Sequence, residues 1–576
     1  MNNILTFLLL IALVVPVLSQ VRDPGFPLPE GSNYQLSLGS TFSASGGDNS
    51  PVGPLRDRKR LVSGLAEALE VVRSQYAGSP SPEDLVKSSI SGSLEALDPH
   101  SNYFDSKEFA DFIAEQDSEY SGIGVTIASF FENGQFDSYA LATQPNSPAR
   151  AAGIEFGDKI IAVNETDVTG LESDLVRDII RGSDGSSVEL TIEKNLSRKV
   201  QKVRLRRKRL EQPSIPLHFM LNNGVGYVAM TEGFNYSTSA ELKASMAALK
   251  RQGMTSLILD LRGNPGGLLD QAVGVAEQFL PAGSVVVSQR GRRAYDNRVW
   301  RSKLRSPETM PVILLVNRDT ASASEIVAGA LQDHDRALII GERTFGKGLV
   351  QNVVDLPSGG ALTLTGARYF TPSGRCIQRD YASVGSYEYF NDRNASSAVA
   401  SSVVMKTDHD RPVFAGKGIE PDENISNKPL SRSERELIEQ TFFFVRDYLR
   451  AKGVADFQKT GYFRLASDAA SRSRLLEEFS RFAKVSGISV DDSNAIGDHL
   501  VYYLSLAASA ENAEQVLLAS DQVVIKAVEN LPRARQMARE FDAAPPTQRD
   551  VFIEPGKFKA KQPAGSHRRR VENRRN

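Results

Sequence analysis

The sequence predicts a multidomain α/β protein with helical regions at both ends, and three observations predict it. Its 576 residues exceed what one core needs, so three or four packed units are expected. Between residues 224 and 341, apolar strand-like runs alternate with helical periods, the pattern of a layered α/β core. After residue 431 apolar residues recur with a helical period, while Gly and Pro become scarce. With 41% hydrophobic and 24% charged residues the composition is that of a globular protein. A net charge of −2 gives no electrostatic reason to expect nucleic acid or acidic partners.

Residues 4–18 (ILTFLLLIALVVPVL) form an almost wholly apolar run. It is shorter than the roughly 20 residues of a spanning helix and fits the core of a secretory signal, although no Lys or Arg precedes it. A signal at 1–20 cleaved before Gln20 is the expectation, which places the chain in a bacterial periplasm or outside the cell. An uncleaved membrane anchor and a buried helix are the alternatives. With no cysteine nearby, a lipid anchor is not expected. Residues 21–55 are rich in Gly, Ser and Pro and read as a flexible leader.

Helical spacing of Leu61, Leu65, Leu69, Val72 and Tyr76 opens a helical region over 56–118, with a second helix from Glu83 to Leu97. LDPHSNY (97–103) interrupts it and Ser106 starts another helix. Residues 119–208 form a compact unit of strands and short helices, among them GIGVTIASF (122–130), SYALAT (138–143), GDKIIAVN (157–164) and LESDLVRDIIRG (171–182). The core spans 209–430. Its apolar strands TSLILDL (255–261), PVILLVN (311–317) and RALIIG (336–341) are long enough to be buried on both faces. Residues 386–410 read as a polar, irregular insertion, 431–545 as a helical accessory domain, and 546–576 as a basic tail. The last 21 residues hold eight Lys/Arg against one Glu. A solvated tail and a contact with an anionic surface both fit.

Hydrolytic chemistry needs a nucleophile, a base, and donors for a developing oxyanion. TASASE (320–325) runs from a buried strand into a helix, so Ser322 or Ser324 lies at a helix N-terminus, where free N–H groups point outward. Ser322-x-x-Glu325 is equally a capping box. FGKG (345–348) sets Lys347 between two glycines after another buried strand. A lysine acting as base must be neutral, and desolvation favours that form. Gln351, four residues on, can orient an amine without adding charge, or can simply pack. NPGG (264–267) also follows a buried strand; its glycines permit a conformation that exposes N–H donors, or an ordinary tight turn. No GxxxxGK[ST] phosphate loop is present. The single cysteine, Cys376, has no nearby base and reads as incidental. The six histidines show no metal-ligand spacing, so no metal and no cofactor is expected.

These motifs, in this order, resemble those of the carboxy-terminal processing peptidases, or tail-specific proteases. The resemblance runs through LDPHSNY, SGIGVTI (121–127), NSPARAAGIEFGDKIIAVN (146–164), LILDLRGNPGGLL (257–269), TASASEI (320–326), GERTFGKGLVQ (341–351), TLTGARYFTPSGRCIQ (363–378) and GIEPD (418–422). It implies a protease core of crotonase- or ClpP-like αβ layers with an embedded PDZ domain at 119–208. It further implies a serine endopeptidase in which Ser322 is nucleophile, Lys347 base and Gln351 the orienting residue. The oxyanion hole would be the backbone N–H of Ala323 with that of Gly266 or Gly267, and Ser324 would be structural. The PDZ loop Ser121, Gly122, Ile123 and Gly124, with Val125 and Ile127, would take a substrate's C-terminal tail as an added strand. Arg181 would couple that event to the catalytic residues. Partners implied are proteins or peptides with accessible C-termini. The C-terminal helices could make an oligomer or bind an adaptor, and the N-terminal segment or basic tail could touch a membrane. Two rival readings are a PDZ scaffold with a silent protease-like core, and a crotonase-type hydratase or isomerase, which would not need Ser322.

Overall fold

The computed structural model describes residues 55–543 apart from 117–118, 133, 383, 385, 392–403, 453–467, 486–493 and 509–512. The expected signal segment, all but the end of the leader, and the basic tail lie outside the described residues. No helix among those described is long and apolar enough to cross a membrane.

The first segment comprises α1 (Leu55–Gln75), α2 (Pro82–Glu95), β1 (Asn102–Phe104) and α3 (Ser106–Gln116). Ser81 caps α2 by accepting from Asp84 N at 3.0 Å, and Pro82 supplies the fixed φ of the first turn. LDPHSNY does more than break a helix. The Asp98 carboxylate accepts from His100 N and Ser101 N, both at 2.9 Å, and from Ser101 Oγ at 2.8 Å. This side-chain-closed turn delivers β1 to the core, where it pairs antiparallel with residues 361–363.

The second unit contains β2 (Glu119–Gly122), β3 (Val125–Glu132), β4 (Gln135–Thr143), α4 (Pro148–Ala151), β5 (Lys159–Val163), β6 (Thr166–Asp167), α5 (Ser173–Ile180), β7 (Ser187–Glu193), β8 (Val200–Arg206) and β9 (Lys208–Glu211). Strands β3-β4-β5-β7-β8 form an antiparallel sheet in that order, which leaves β3 on its edge; β2 pairs with β9. Ile123, Ala149, Ile160, Val176 and Leu190 fill the core between this sheet and α5.

In the core, β10 (Leu217–Met220), β11 (Val225–Ala229), α6 (Thr238–Arg251), β12 (Ser256–Asp260), α7 (Leu269–Glu277), β13 (Val285–Gly291), β14 (Arg298–Arg301), β15 (Val312–Val316), α8 (Ala323–Asp333), β16 (Leu338–Gly341), β17 (Leu349–Asp355) and β18 (Ala361–Phe370) follow in turn. One sheet runs β10-β11-β12-β15-β16, parallel from β11 onward, and a second joins β1, β18, β13, β14 and β17. Every residue of β11, β12, β15 and β16 is buried, as near-continuous apolar runs demand when both faces are covered.

The segment expected to be an irregular insertion is more ordered than its polarity suggests. It holds α9 (Ser386–Asn391) and β19 (Val404–Lys406), which pairs with β20 (Pro412–Phe414) just beyond it, while residues 392–403 lie outside the described residues. Tyr389 of α9 is buried against Ala321 and Phe345. Tyr389, with Phe390 packed beside it, anchors this short helix. GIEPD then leads into β21 (Glu423–Asn424), which joins β16 in parallel.

The C-terminal helices make two bodies, where a single accessory domain was expected. The first holds α10 (Arg432–Lys452), α11 (Ala469–Val485) and α12 (Asn494–Ala507) and packs on the β3–β4 hairpin. Phe442 stacks on Phe130 at 3.9 Å with planes 5° apart, and Arg446 Nε donates to Gly157 O at 2.8 Å. The short α13 (Gln515–Leu518) packs Val516 and Leu517 into that first body, and the second holds α14 (Gln522–Glu529) and α15 (Leu531–Ala543). It covers the core sheet with Val523, Val524, Ala527 and Leu531 against Tyr227, Ile258, Ile313 and Ile340. A helical period shows that a helix has an apolar face and is silent on what covers it.

Glu439 of α10 is buried at the first of these contacts. Burial, then the neighbouring Glu436, raise its carboxyl to about 7; Arg435 and the Phe131 N–H work the other way. The folded value lies above the unfolded one, so this group's contribution to stability is full below about pH 4.5 and is lost as pH rises through about 7. Glu439→Gln is therefore expected to stabilise the protein by about 1–2 kcal/mol at pH 8.5, after allowance for solvent screening, and not at pH 4.5. Urea melts at the two pH values check this, and an equal effect at both would refute it.

Candidate active site

The strands β12, β15 and β16 are consecutive and parallel, so the turns leaving their carboxyl ends lie side by side. Those three turns carry GNPGG, TASASE and TFGKG. Convergence of the three motifs follows from strand order.

Asn317 N donates to Thr320 Oγ1 at 2.9 Å, and Thr320 Oγ1 donates to Leu261 O at 2.8 Å, which ties the second turn to the first. Ser322 then takes φ 55 and ψ −114 immediately before α8. A non-glycine residue in that region carries strain of about 1–3 kcal/mol, which its surroundings must hold. Glu325, fully buried, does the holding. Its Oε2 accepts from Ser322 N at 2.9 Å and from Lys347 N at 2.8 Å. Its Oε1 accepts from Gly346 N at 2.8 Å and Thr344 Oγ1 at 2.5 Å. One carboxylate oxygen thus binds the backbones of Ser322 and Lys347 together. Burial lifts the Glu325 carboxyl above its ordinary range, and these four donors oppose that lift.

The GNPGG turn lies against this point. A methyl group built on Gly266 would sit 2.7 Å from Ser322 Cβ and 2.8 Å from Ala323 N, so only glycine fits. Gly266 N donates to Asn264 Oδ1 at 2.9 Å. Gly267, at φ 141, has an N–H with no acceptor among the described residues. Of the two glycines expected to supply an oxyanion donor, Gly266 has its N–H engaged and Gly267 does not. Ala323 opens α8, where an N–H has no intrahelical acceptor. Ser324 Oγ donates to Asn264 O at 3.2 Å, a bond between turns.

Lys347 is 1% exposed. Glycine is required beside it at 348, where a methyl would sit 2.7 Å from Gln378 N. Gln351 is buried on β17, yet its Nε2 donates to Thr365 Oγ1 at 2.8 Å and its Oε1 has no partner among the described residues. The expected bond from Gln351 to the Lys347 amine is therefore not made in this structure. The reason is local: the β17–β18 register shifts between Val350 and Gln351 and sets Gln351 opposite Thr365. Outside the lysine loop, His100 Nε2 lies 2.9 Å from Tyr389 Oη, and the Arg379 guanidinium stacks over Phe345 at 3.9 Å.

In the β2–β9 unit, the expected loop of Ser121, Gly122, Ile123 and Gly124 is shorter than the sequence suggests. Ser121 and Gly122 are strand residues paired with Arg209 and Lys208, which leaves Ile123–Gly124 as the turn. Gly124 has φ 71, and a methyl there would sit 2.4 Å from Ser147 Cβ. Val125 and Ile127 are half-buried on the edge strand β3. Arg181 ends α5 with its guanidinium 5.6 Å from the Tyr120 ring centre. Burial raises the carboxyl of Glu232 in the core, and the Gln212 amide and the Arg181 charge draw it back.

Sequence reasoning read Glu325 as a cap and did not single out Thr344, Asn264, Asn317 or His100. The capping pattern was the available signal for Glu325. Asn264 was visible only as part of NPGG. Among the described residues no group of three or more His, Cys, Asp or Glu is placed to hold a metal ion.

Comparison with known proteins matches residues 224–384 to peptidase family S41 and residues 140–194 to the PDZ domain. A carboxy-terminal-processing protease of Bartonella bacilliformis is 36% identical over 319 residues, 54% of this chain and 72% of that protein. A carboxyl-terminal-processing protease of Picosynechococcus sp. is 35% identical over 289 residues, 49% of this chain and 68% of that protein. The solved structure of a photosystem II D1 C-terminal processing protease is 27% identical, covers 64% of this chain and 88% of that one, and has a TM-score of 0.34.

Proposed function

Because the chain belongs to the carboxy-terminal processing proteases of peptidase family S41, serine-type peptidases, we propose that Ser322 is its nucleophile and Lys347 its general base. The observation that carries this reading is the shared Glu325 oxygen, which holds the two residues' backbones within hydrogen-bond reach of one atom. The Lys347 amine takes the proton of Ser322 Oγ as that oxygen attacks a peptide carbonyl. The tetrahedral oxyanion lies between the N–H groups of Ala323 and Gly267. Lys347 returns the proton to the leaving amine, an acyl-enzyme remains on Ser322, and water activated by Lys347 releases it. Gln351 has a buried amide oxygen available to orient that amine once it turns from Thr365.

The edge position of β3, next to the Ile123–Gly124 turn, supports substrate-tail recognition by strand addition with the tail carboxylate at that turn. Arg181 couples this site to the core through Glu232, whose backbone carbonyl accepts from Asn264 Nδ2 at 2.6 Å. The apolar segment at 4–18 supports export of the chain.

A phosphonylating active-site reagent followed by peptide mass spectrometry tests the assignment. One adduct is expected, on Ser322, together with internal cleavage near the C-terminus of a tailed protein. Amidation of that C-terminus should raise KM several-fold. An adduct on Ser324, or turnover without any serine adduct, would sink the reading.

A further inference from the structure

Arg262 opens the GNPGG turn, and its guanidinium is shared between carboxylates from two distant parts of the chain. Nε donates to both oxygens of Asp260 at 3.0 Å and Nη2 to Asp260 Oδ2 at 2.6 Å, while Tyr227 Oη donates to the same oxygen at 2.7 Å. The remaining arm, Nη1, donates to Asp521 Oδ2 at 2.7 Å. Asp521 belongs to the second body of C-terminal helices, where it caps α14. Its Oδ1 accepts from Val523 N at 2.8 Å and Val524 N at 3.2 Å. One oxygen of this buried carboxylate is thus met by a helix N-terminus and the other by Arg262.

Asp260 alone satisfies one side of the guanidinium, so the contact with Asp521 is not needed to neutralise it. What Asp521 adds is a fixed direction. Downstream of Arg262 the turn is bonded at successive points to the segment leading into Ser322. Gly263 N donates to Asn317 Oδ1 at 2.9 Å, and Ala321 N donates to Asn264 O at 3.0 Å. The turn has little freedom to absorb a change at its root, and a displacement at Arg262 reaches Gly267 and Ser322 together.

We infer that Asp521 is a positioning residue of the active site, acting through Arg262 on the GNPGG turn, and that α14 and α15 are part of the catalytic unit. The inference rests on the proposed roles of Ser322 and Gly267. It gives the second helical body a function that requires neither an oligomer nor an adaptor.

Asp521→Asn in the full-length chain tests it. Asn caps helices as well as Asp and keeps the side-chain shape, while the charge facing Arg262 is withdrawn. The expected result is a fall of about 10- to 100-fold in kcat with KM unchanged, the scale of a misplaced catalytic group. Affinity for a peptide aldehyde, which forms a tetrahedral adduct on the serine, should fall by the same factor. Affinity for an uncleaved peptide, measured in the Ser322→Ala background, should not change. Unaltered kcat and aldehyde affinity would overturn the inference. So would a loss that appears equally in KM. If Asp521→Asn is too unstable to assay, Asp521→Ser keeps a capping oxygen and repeats the test. A Ser322→Ala enzyme that still cleaves would sink the underlying serine assignment; a dead Ser322→Ala beside a normal Asp521→Asn would sink only the clamp.

Discussion

Ser322→Ala is expected to lower kcat/KM for a tailed peptide by about 10⁵-fold, Lys347→Ala by nearly as much, and the double variant by no more than either. The non-additivity follows from the chemistry. An amine with no hydroxyl to deprotonate contributes nothing, and a buried serine hydroxyl without its base is a poor nucleophile. The two residues enter the reaction as one unit, their backbone N–H groups held by a common carboxylate oxygen. Residual rate in the double variant would come from the oxyanion donors and from binding, both left in place. Peptide affinity should survive in all three proteins, because the proposed tail site lies on β3. Progress curves with wild type, both single variants and the double variant measure the cycle. Multiplying effects would mean that Ser322 and Lys347 act independently, which the mechanism does not allow.

The parts of this site that were legible in the sequence are those written locally. TSLILDL, PVILLVN and RALIIG are continuous apolar runs, and a strand covered on both faces must look like that. Each is followed by a glycine- or serine-bearing turn, so three candidate turns could be read directly. Their meeting could not, because the order β12-β15-β16 is set by pairings between residues more than fifty apart for β12 and β15. The choice between Gly266 and Gly267 was equally invisible, since it depends on which N–H the Asn264 side chain takes. For the C-terminal helices, periodicity revealed apolar faces, yet Phe442 finds Phe130 and Val523 finds the core sheet only in three dimensions. Gln351 is a sharper case. Spacing suggested an amide aimed at Lys347, and a one-residue register shift turns it to Thr365.

Glu325 was legible as half a capping box, and its larger role was hidden because a carboxylate has two oxygens and the second partner set lies about twenty residues away. Replacing it therefore separates a cap from a clamp. Loss of a simple N-cap costs roughly 1 kcal/mol. Glu325→Ala instead strips acceptors from three buried N–H groups and the Thr344 hydroxyl, at about 1–3 kcal/mol for each group left unsatisfied. Against a total stability of about 5–15 kcal/mol, that variant is expected to be largely unfolded. Glu325→Gln is the informative change, because it keeps one acceptor oxygen and the volume. Its NH₂ faces Gly346 N and Thr344 Oγ1 if it takes the Oε1 place, or Ser322 N and Lys347 N if it takes the Oε2 place, so in either orientation the lysine loop loses a backbone anchor. The expected result is a protein that folds with about 2–4 kcal/mol less stability and loses about 100-fold or more in the rate of phosphonylation at Ser322. Urea melts and the labelling rate measure the two effects separately. A variant destabilised by only a cap's worth, with labelling at the normal rate, would show that Glu325 merely starts α8 and that the strained φ of Ser322 holds itself.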